Sequence, residues 1–480
     1  MSYNVEQGKT HIILRDNGMV DNNTKTSFTP EKKDKIGVKE GNKIQTSETH
    51  LLHDTKNLRE QMRTKMENKL TENLGEALNS ESSKAVRYGI IGSGHGGSRL
   101  AEQFSQFGYP VCVINTSQQD LYHINLPAEN KLFMDYSLGG AGKDMDIGGA
   151  ATQEAEPNIK KMIESIFGND CEKIDSLVIC IGGGGGTGTG SSIPLIQMLS
   201  DYNIPITVLY TLPMSSEGTI TKSNAINGLD KLAQLSVNKL INGLIIIDNS
   251  RIEDLYSDIS LGGFFKVANF DIANIFNTFN TLSSLPTQFS AIDPMDFTRI
   301  MTSGNCTIYG KVEVPLEFEN NQVFMSEEDI ANLLLKGLKD GLLAEGFDVS
   351  EAIRAGVYIT GKSSYLTQIP ASTFNYALAT LNEEFKRADL FKGIYADERL
   401  EDKLVIYTLI GGVGLPRERV EMLKEQAQQD VEEMQEKEKN AQSKMEVFQQ
   451  TIKREDDKYK LQKKNNSTFG KMVNRRRSRN

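Results

Sequence analysis

Gly182-Gly183-Gly184-Gly185-Gly186-Thr187-Gly188-Thr189-Gly190-Ser191-Ser192 stands between two apolar segments. Upstream, Ser176-Leu177-Val178-Ile179-Cys180-Ile181 is short and β-branched and reads as a buried strand. Downstream, Ile193-Pro194-Leu195-Ile196-Gln197-Met198-Leu199 reads as the first turns of a buried helix. Strand, glycine loop, helix is the order in which backbone N–H groups and a helix N-terminus face an anion. Glycine lets the backbone close on a phosphate with no Cβ in the way, and Thr187 and Thr189 add hydroxyl donors. A flexible linker is the plain alternative, but linkers are not wedged between a buried strand and a buried helix. The loop is expected to cradle phosphate. It is not a Walker A loop, since no lysine lies between Lys173 and Lys222.

Working outward, a strand at Ala85-Val86-Arg87-Tyr88-Gly89-Ile90-Ile91 runs into Gly92-Ser93-Gly94-His95-Gly96-Gly97, then into a helix carrying Leu100, Ala101 and Phe104. This satisfies G-x-G-x-x-G, so a Rossmann site in an NAD(P)-binding enzyme is one reading. The next strand, Pro110-Val111-Cys112-Val113-Ile114, ends in Asn115-Thr116-Ser117, without the acidic residue that would hold an adenosine ribose. A third glycine cluster, Leu138-Gly139-Gly140-Ala141-Gly142-Lys143, leads into a helix expected over about 150–167. Three glycine loops after strands suit a nucleotide held by several backbone loops.

Strands at Ile206–Tyr210 and Gly243–Ser250, with a helix over roughly Thr221–Leu235 between them, continue the alternation, so the sheet should be mostly parallel. Phe265 opens a long helix through Asn269, Ile272, Ile275, Phe276, Phe279 and Leu282, with the apolar spacing of a helix buried between two domains. The fold class is therefore α/β: a Rossmann-like nucleotide domain over 85–264, a central helix at 265–289 and a smaller α+β domain over 290–415. That domain should hold strands at 307–315, 356–360 and 404–411 and helices at 327–345 and 371–387. From Pro416, apolar Val420, Leu423, Ala427, Val431, Met434, Ala441, Met445, Phe448 and Ile452 keep helical steps. They predict an amphipathic helix over 416–464, about 70 Å long, followed by a disordered basic tail at 465–480. Residues 1–84 read as a mostly disordered extension. Within it Leu58, Met62, Met66, Leu70, Leu74 and Leu78 predict a helix near 57–78 whose narrow apolar stripe suits docking on an adjacent subunit.

The formal charge of the 480 residues is −10, yet 458–480 hold nine basic residues and no acidic one, which leaves −19 on the rest. Only the tail should seek an anionic partner. Cys112, Cys171, Cys180 and Cys306 show no metal spacing and read as reduced core cysteines. No apolar run approaches the ~18 residues of a membrane span, and the N-terminus lacks a signal-peptide core. A soluble cytoplasmic protein without a membrane partner is expected.

Over roughly residues 85–415 the ordered motifs resemble the tubulin/FtsZ superfamily of polymerising GTPases. Gly184-Gly185-Gly186-Thr187-Gly188-Thr189-Gly190 resembles the family's signature loop. Gly94, His95, Gly96 and Gly97 look like its first phosphate loop, Asn115 like the Asn ending its second strand, and Gly140, Ala141 and Gly142 like its third loop. Glu217 resembles the carboxylate that contacts the ribose, and Asn249 the base-proximal Asn. Phe265 and Asn269 resemble the pair that stacks on guanine and hydrogen-bonds its edge; residues four apart on a helix share a face. The resemblance implies GTP and GDP as nucleotides, Mg2+ as cofactor and a longitudinal homopolymer.

It further implies that Asp293 and Asp296 are the synergy-loop acids that enter the next subunit's site, so that two chains build one GTPase site. Taken alone, Asp293-Pro294 could be only a helix cap. Two departures stand out. The Asn that often precedes the first acid is Ala291, which leaves water positioning to the carboxylates. The Arg expected four residues after Glu217 is Thr221, with Lys222 as the substitute. Division-type FtsZ proteins end in a short apolar peptide that nothing near residue 480 resembles, and eukaryotic tubulins have acidic tails. The long helix with a basic end looks most like TubZ-type cytomotive tubulins of plasmids and phages. That branch implies filaments in a bacterial cytoplasm whose tails dock an adaptor bound to DNA. A division-type filament and an NAD(P)-binding enzyme are the alternatives.

Overall fold

The structure, a computed structural model, describes residues 84–477 apart from 137–138, 256–260, 286, 288, 320–321, 325, 341–342 and 387. The helix expected near 57–78 lies outside the described residues.

The apolar runs form strands because both of their faces can be covered by helices. β1 (Tyr88–Ser93) leads into α1 (Gly94–Ser105), β2 (Val111–Asn115) into the short α2 (Gln118–Tyr122), and β3 (Lys131–Phe133) forms a sheet edge. α3 (Met145–Glu154) and α4 (Glu156–Phe167) precede β4 (Ser176–Gly182), which turns into α5 (Gly186–Ser200). β5 (Ile206–Leu212), α6 (Thr219–Val237), β6 (Gly243–Asp248) and α7 (Asn249–Leu255) complete the alternation. β1, β2 and β6 are buried along their whole length.

The long α8 (Leu261–Leu282) and α9 (Pro294–Met301) follow. Next come β7 (Cys306–Pro315), the hairpin of β8 (Glu317–Glu319) and β9 (Gln322–Phe324), α10 (Glu327–Asp340) and β10 (Arg354–Gly361). α11 (Ser363–Leu366), α12 (Ala371–Glu384), β11 (Asp389–Ala396), β12 (Lys403–Val413) and α13 (Arg417–Arg477) end the chain. One ten-stranded sheet results, ordered β11-β10-β12-β7-β6-β5-β4-β1-β2-β3. From β3 to β7 all neighbours are parallel, whereas β12 is antiparallel to both β7 and β10. The two halves meet where β6 and β7 pair through Leu244–Cys306 and Ile245–Thr307.

α8 locks those halves together. Phe276 meets Tyr88 of β1 and Phe104 of α1 edge-on, with ring centroids 5.1 and 5.5 Å apart. One turn on, Phe279 meets Tyr309, Tyr358 and Tyr407 at 6.0, 5.1 and 6.1 Å. The buried Asn280 amide donates to Val86 O and Tyr109 Oη and accepts from Val86 N, which fixes the approach to β1. All four cysteines are free and buried, and burial raises each thiol above its ordinary range. No helix among the described residues is long and apolar enough to cross a membrane.

Several elements differ from the sequence reading. α5 begins at Gly186, well before Ile193, because packing against α3 holds Gly-Thr-Gly helical despite glycine's cost of about 1 kcal/mol per residue. The helix expected over 150–167 is two, α3 and α4, because Pro157 in the first turn of α4 has no N–H to return to α3. β11 was hidden by Lys392-Gly393, which interrupts its apolar alternation. α13 runs through the segment expected to be a disordered tail and reaches Arg477. That segment lacks proline and its helical part ends in Arg475-Arg476-Arg477, which are good helix formers, and the whole helix is roughly 90 Å long.

α13 is rooted in the body by its first turns. Val420, Leu423 and Ala427 are buried, and the helix packs on α6. The buried Arg419 guanidinium donates to both Asp248 carboxylate oxygens at 2.5 and 3.0 Å, and to Pro213 O and Ser250 Oγ at 3.2 Å each. From Val431 to Lys464 every side chain is exposed. Arg419→Ala would leave Asp248 buried without its partner and is expected to destabilise the fold by about 3–5 kcal/mol, seen as a lower thermal midpoint. Replacing both, Asp248→Leu with Arg419→Met, should recover most of that loss.

Candidate functional site

The C-terminal ends of β1, β2, β4 and β5 open into a cleft of ≈ 470 Å³ beside the starts of α1 and α5. Neither helix has a side chain capping its first turn. Their first N–H groups are left for a ligand, and together with the helix dipoles they select an anion. α3 differs, because Asp144 accepts from Asp146 N and Ile147 N at 2.9 and 3.4 Å and caps it.

Two positions force glycine. Gly94 has φ +70°, and a Cβ there would lie 2.7 Å from Gly188 N. Gly184 has φ +100°, and its Cβ would lie 2.4 Å from Thr221 Cγ2. Side chains then tie the loops to one another. Thr189 Oγ1 accepts from Gly184 N at 2.8 Å, Ser93 and Ser191 share a hydroxyl bond of 2.5 Å, and Thr116 and Thr187 share one of 2.6 Å. Asn224 donates to Lys143 O and Gly184 O at 2.7 and 3.2 Å, and Lys143 Nζ donates to Thr221 Oγ1 at 2.8 Å.

Gly94, His95, Gly96, Asn115, Gly140, Ala141, Gly142, Gly184, Gly185, Gly186, Thr187, Gly188, Glu217, Asn249, Phe265 and Asn269 all line this cleft. Phe265 is 38% exposed, with Phe264 edge-on to it at 5.0 Å. A free aromatic face sharing a cleft with the Asn249 and Asn269 amides suits a planar heterocycle. Glu217 is steadied by Met214 N, which donates to Oε1 at 3.1 Å.

Other expected residues lie elsewhere. Gly97 and Gly190 are packing glycines: a Cβ would sit 2.1 Å from Cys180 O in one case and 2.1 Å from Met145 O in the other. Thr189 is buried and shapes the loop. Lys222 turns away and pairs with Asp430 of α13 at 2.8 Å, its side chain only 4% exposed. The cation at this end of the cleft is Lys143. Asp293 and Asp296 sit together on α9 and do not line the cleft. Asp293 caps the helix, accepting from Asp296 N at 2.8 Å. Partial burial, then the charge of Asp293, holds the Asp296 carboxyl above its ordinary range, which suits a proton acceptor.

Arg99, Asp120, Lys143 and Thr211, not named as site residues from the sequence, also line the cleft, as does Thr221, which stands where the Arg was expected. Arg99 stands one helical turn after His95 and Lys143 directly after Gly142, so both had a local signal. Asp120 had none. Among the described residues, no group of three or more His, Cys, Asp or Glu could hold a metal, and His95 and Asn115 already engage Asp120. The donor set does not fit a metal held by protein alone. It fits Mg2+ carried on nucleotide phosphates and completed by water.

A family model for the tubulin/FtsZ family GTPase domain matches residues 49–257, and one for the C-terminal domain of TubZ-like tubulin/FtsZ-like proteins matches 277–424. The chain belongs to the tubulin/FtsZ family. It is a GTPase, and its nucleotides are GTP and GDP. The tubulin-like protein CetZ of Pyrococcus horikoshii is 25% identical over 332 residues, 68% of this chain and 85% of that protein. The tubulin-like protein TubZ of Bacillus thuringiensis subsp. israelensis is 20% identical over 395 residues, 74% of this chain and 79% of that one. Among solved structures, a GTPγS-form protofilament of Bacillus thuringiensis serovar israelensis TubZ shares the fold with a TM-score of 0.66. It is 20% identical, covering 76% of this chain and 97% of that one. The tubulin/FtsZ assignment sets the NAD(P) reading aside.

Lys143→Ala removes a cleft cation, and the loss of a charge-assisted bond of about 1.5–3 kcal/mol should weaken GTP binding roughly 10- to 100-fold. Lys222→Ala should leave GTP affinity unchanged. Titration calorimetry of both variants checks this contrast.

Proposed function

We propose that this tubulin/FtsZ-family GTPase assembles head to tail into filaments in a bacterial cytoplasm, with each nucleotide site completed by the next subunit, and that the filaments position or segregate plasmid or phage DNA. One observation carries the two-chain site. The cleft supplies donors for a nucleotide, yet its carboxylates Asp120 and Glu217 are already engaged, while the acidic pair Asp293 and Asp296 stands outside it on α9. In this reading Phe265 stacks on guanine, Asn269 and Asn249 meet its edge, and Glu217 meets the ribose. The N-termini of α1 and α5, with Arg99 and Lys143, hold the phosphates. Asp296 of the neighbouring subunit accepts the proton of the water that attacks the γ-phosphorus. Solved two-stranded and four-stranded TubZ filaments share this chain's fold, with TM-scores of 0.66 and 0.67, and support the assembly.

The DNA role rests on charge. α13 leaves the body after Asp430 and, as far as Arg477, carries eight of the nine basic residues of 458–480 away from a remainder of −19. Repulsion disfavours DNA elsewhere on the surface, and a filament would array many such helices and multiply a weak contact. A DNA-bound adaptor, or another anionic partner, suits that end.

Light scattering should rise with GTP and stay flat with ATP; an equal response would defeat the guanine assignment. Asp296→Ala should bind GTP with unchanged affinity and hydrolyse it about 100-fold more slowly or worse, leaving persistent filaments. Mixing it with Lys143→Ala should restore part of the turnover, because each variant supplies the half-site the other lacks. Removing 458–480 should leave hydrolysis and assembly intact and abolish a steeply salt-dependent co-sedimentation with adaptor and DNA. Unchanged cargo binding would reduce the basic end to a solubility feature.

A further inference from the structure

Within the cleft, a histidine occupies the first turn of α1, at a helix end whose dipole disfavours a cation. It does not stand alone. His95 Nδ1 lies 3.0 Å from Asp120 Oδ1, and the side chain is half-exposed on the cleft wall. Asp120 is itself held: its other oxygen accepts from Asn115 Nδ2 at 3.2 Å, and its backbone N–H donates to Ser117 Oγ at 3.3 Å. Arg99, one turn along α1 and therefore on the same face, also lines the cleft. A carboxylate that takes the Nδ1 proton fixes the ring's tautomer and leaves Nε2 for the cleft.

We propose that His95, oriented by Asp120, is a protonation-dependent phosphate ligand that makes nucleotide affinity fall as pH rises. This rests on GTP or GDP occupying the cleft. The neutral ring, with its proton on the Asp120 side, turns an Nε2 lone pair toward the ligand and repels a phosphate oxygen. The protonated ring turns an N–H toward it and makes a charge-assisted bond. The charged groups sharing the cleft are Arg99 and Lys143, which oppose protonation, and Asp120 and Glu217, which favour it. The bound phosphates add further negative charge on the favouring side. Binding is therefore strongest at low pH, and the contribution of His95 disappears as the ring loses its proton. Histidine is the side chain whose charge ordinarily changes between about pH 5 and 8, which sets the range over which the effect is sought.

The test measures GDP affinity by calorimetry for the full chain, His95→Gln and Asp120→Asn, between about pH 6 and 8.5, with thermal unfolding as the control for folding. GDP's own titration is common to all three proteins, so the ratio of affinities to wild type is the readout. Wild type should bind about tenfold more tightly than His95→Gln at the acid end and match it within about twofold at the alkaline end, the contrast between a charge-assisted and a neutral hydrogen bond. Asp120→Asn should shift the wild-type fall to lower pH. With guanosine in place of GDP, wild type and His95→Gln should agree throughout. A constant affinity ratio across the pH range, or a difference that persists with guanosine, would overturn the proposal. If wild type bound GDP at no pH, the nucleotide reading of the cleft would fall, and this proposal with it.

Discussion

Three helices begin within one small region of this molecule because backbone meets backbone there with no side chain between. Gly94 backs onto Gly188, Gly97 onto the carbonyl of Cys180, Gly148 onto that of Gly186, and Gly190 onto that of Met145. A methyl group at any of these points would overlap a backbone atom of the neighbouring segment, which cannot swing aside as a side chain can. α1, α3 and α5 are therefore held at a separation that only glycine permits. Two of their N-termini, left uncapped, supply the donors of the cleft. The chemistry of the site is in this sense a by-product of how tightly the first half of the chain is packed.

The second constraint is α8. The helix that carries Phe265 and Asn269 at its start carries Phe276 and Phe279 two and three turns later, and these two rings bind the two halves of the sheet. Phe265 and Asn269 are thus connected through one helix to the half of the molecule that carries Asp293 and Asp296. The loops of the other glycine clusters are tied mainly to one another, through Thr116, Thr187, Thr189 and Asn224.

Much of this was legible in the sequence because it is local. The strands are continuous apolar runs, the glycine loops follow them directly, and Phe265 and Asn269 keep a helical spacing. What escaped depended on direction or on distant partners. Thr221 and Lys222 are neighbours in sequence, but successive helical residues point about 100° apart, so Thr221 faces the cleft while Lys222 reaches Asp430 on α13. No local pattern marks Asp120, whose role arises when α2 folds over β2 beside α1. The true start of α5 was masked by its own glycines, which burial overrides. The reach of α13 was underestimated because charge was read as disorder, although lysine and arginine are good helix formers.

The ends of the sheet carry a consequence of their own. A ten-stranded sheet has two open borders, and each offers unpaired backbone groups to any passing strand. Here one border, β3, is three residues long, and the other, β11, sets Asp389 and Lys392 out to solvent. Neither is an inviting template, so lateral strand addition, the ordinary route to aggregates, is blunted at both sides. Among the described residues, contacts between copies of this chain are thereby steered away from the borders of this sheet, toward surfaces where geometry can be specific and the bond can be undone.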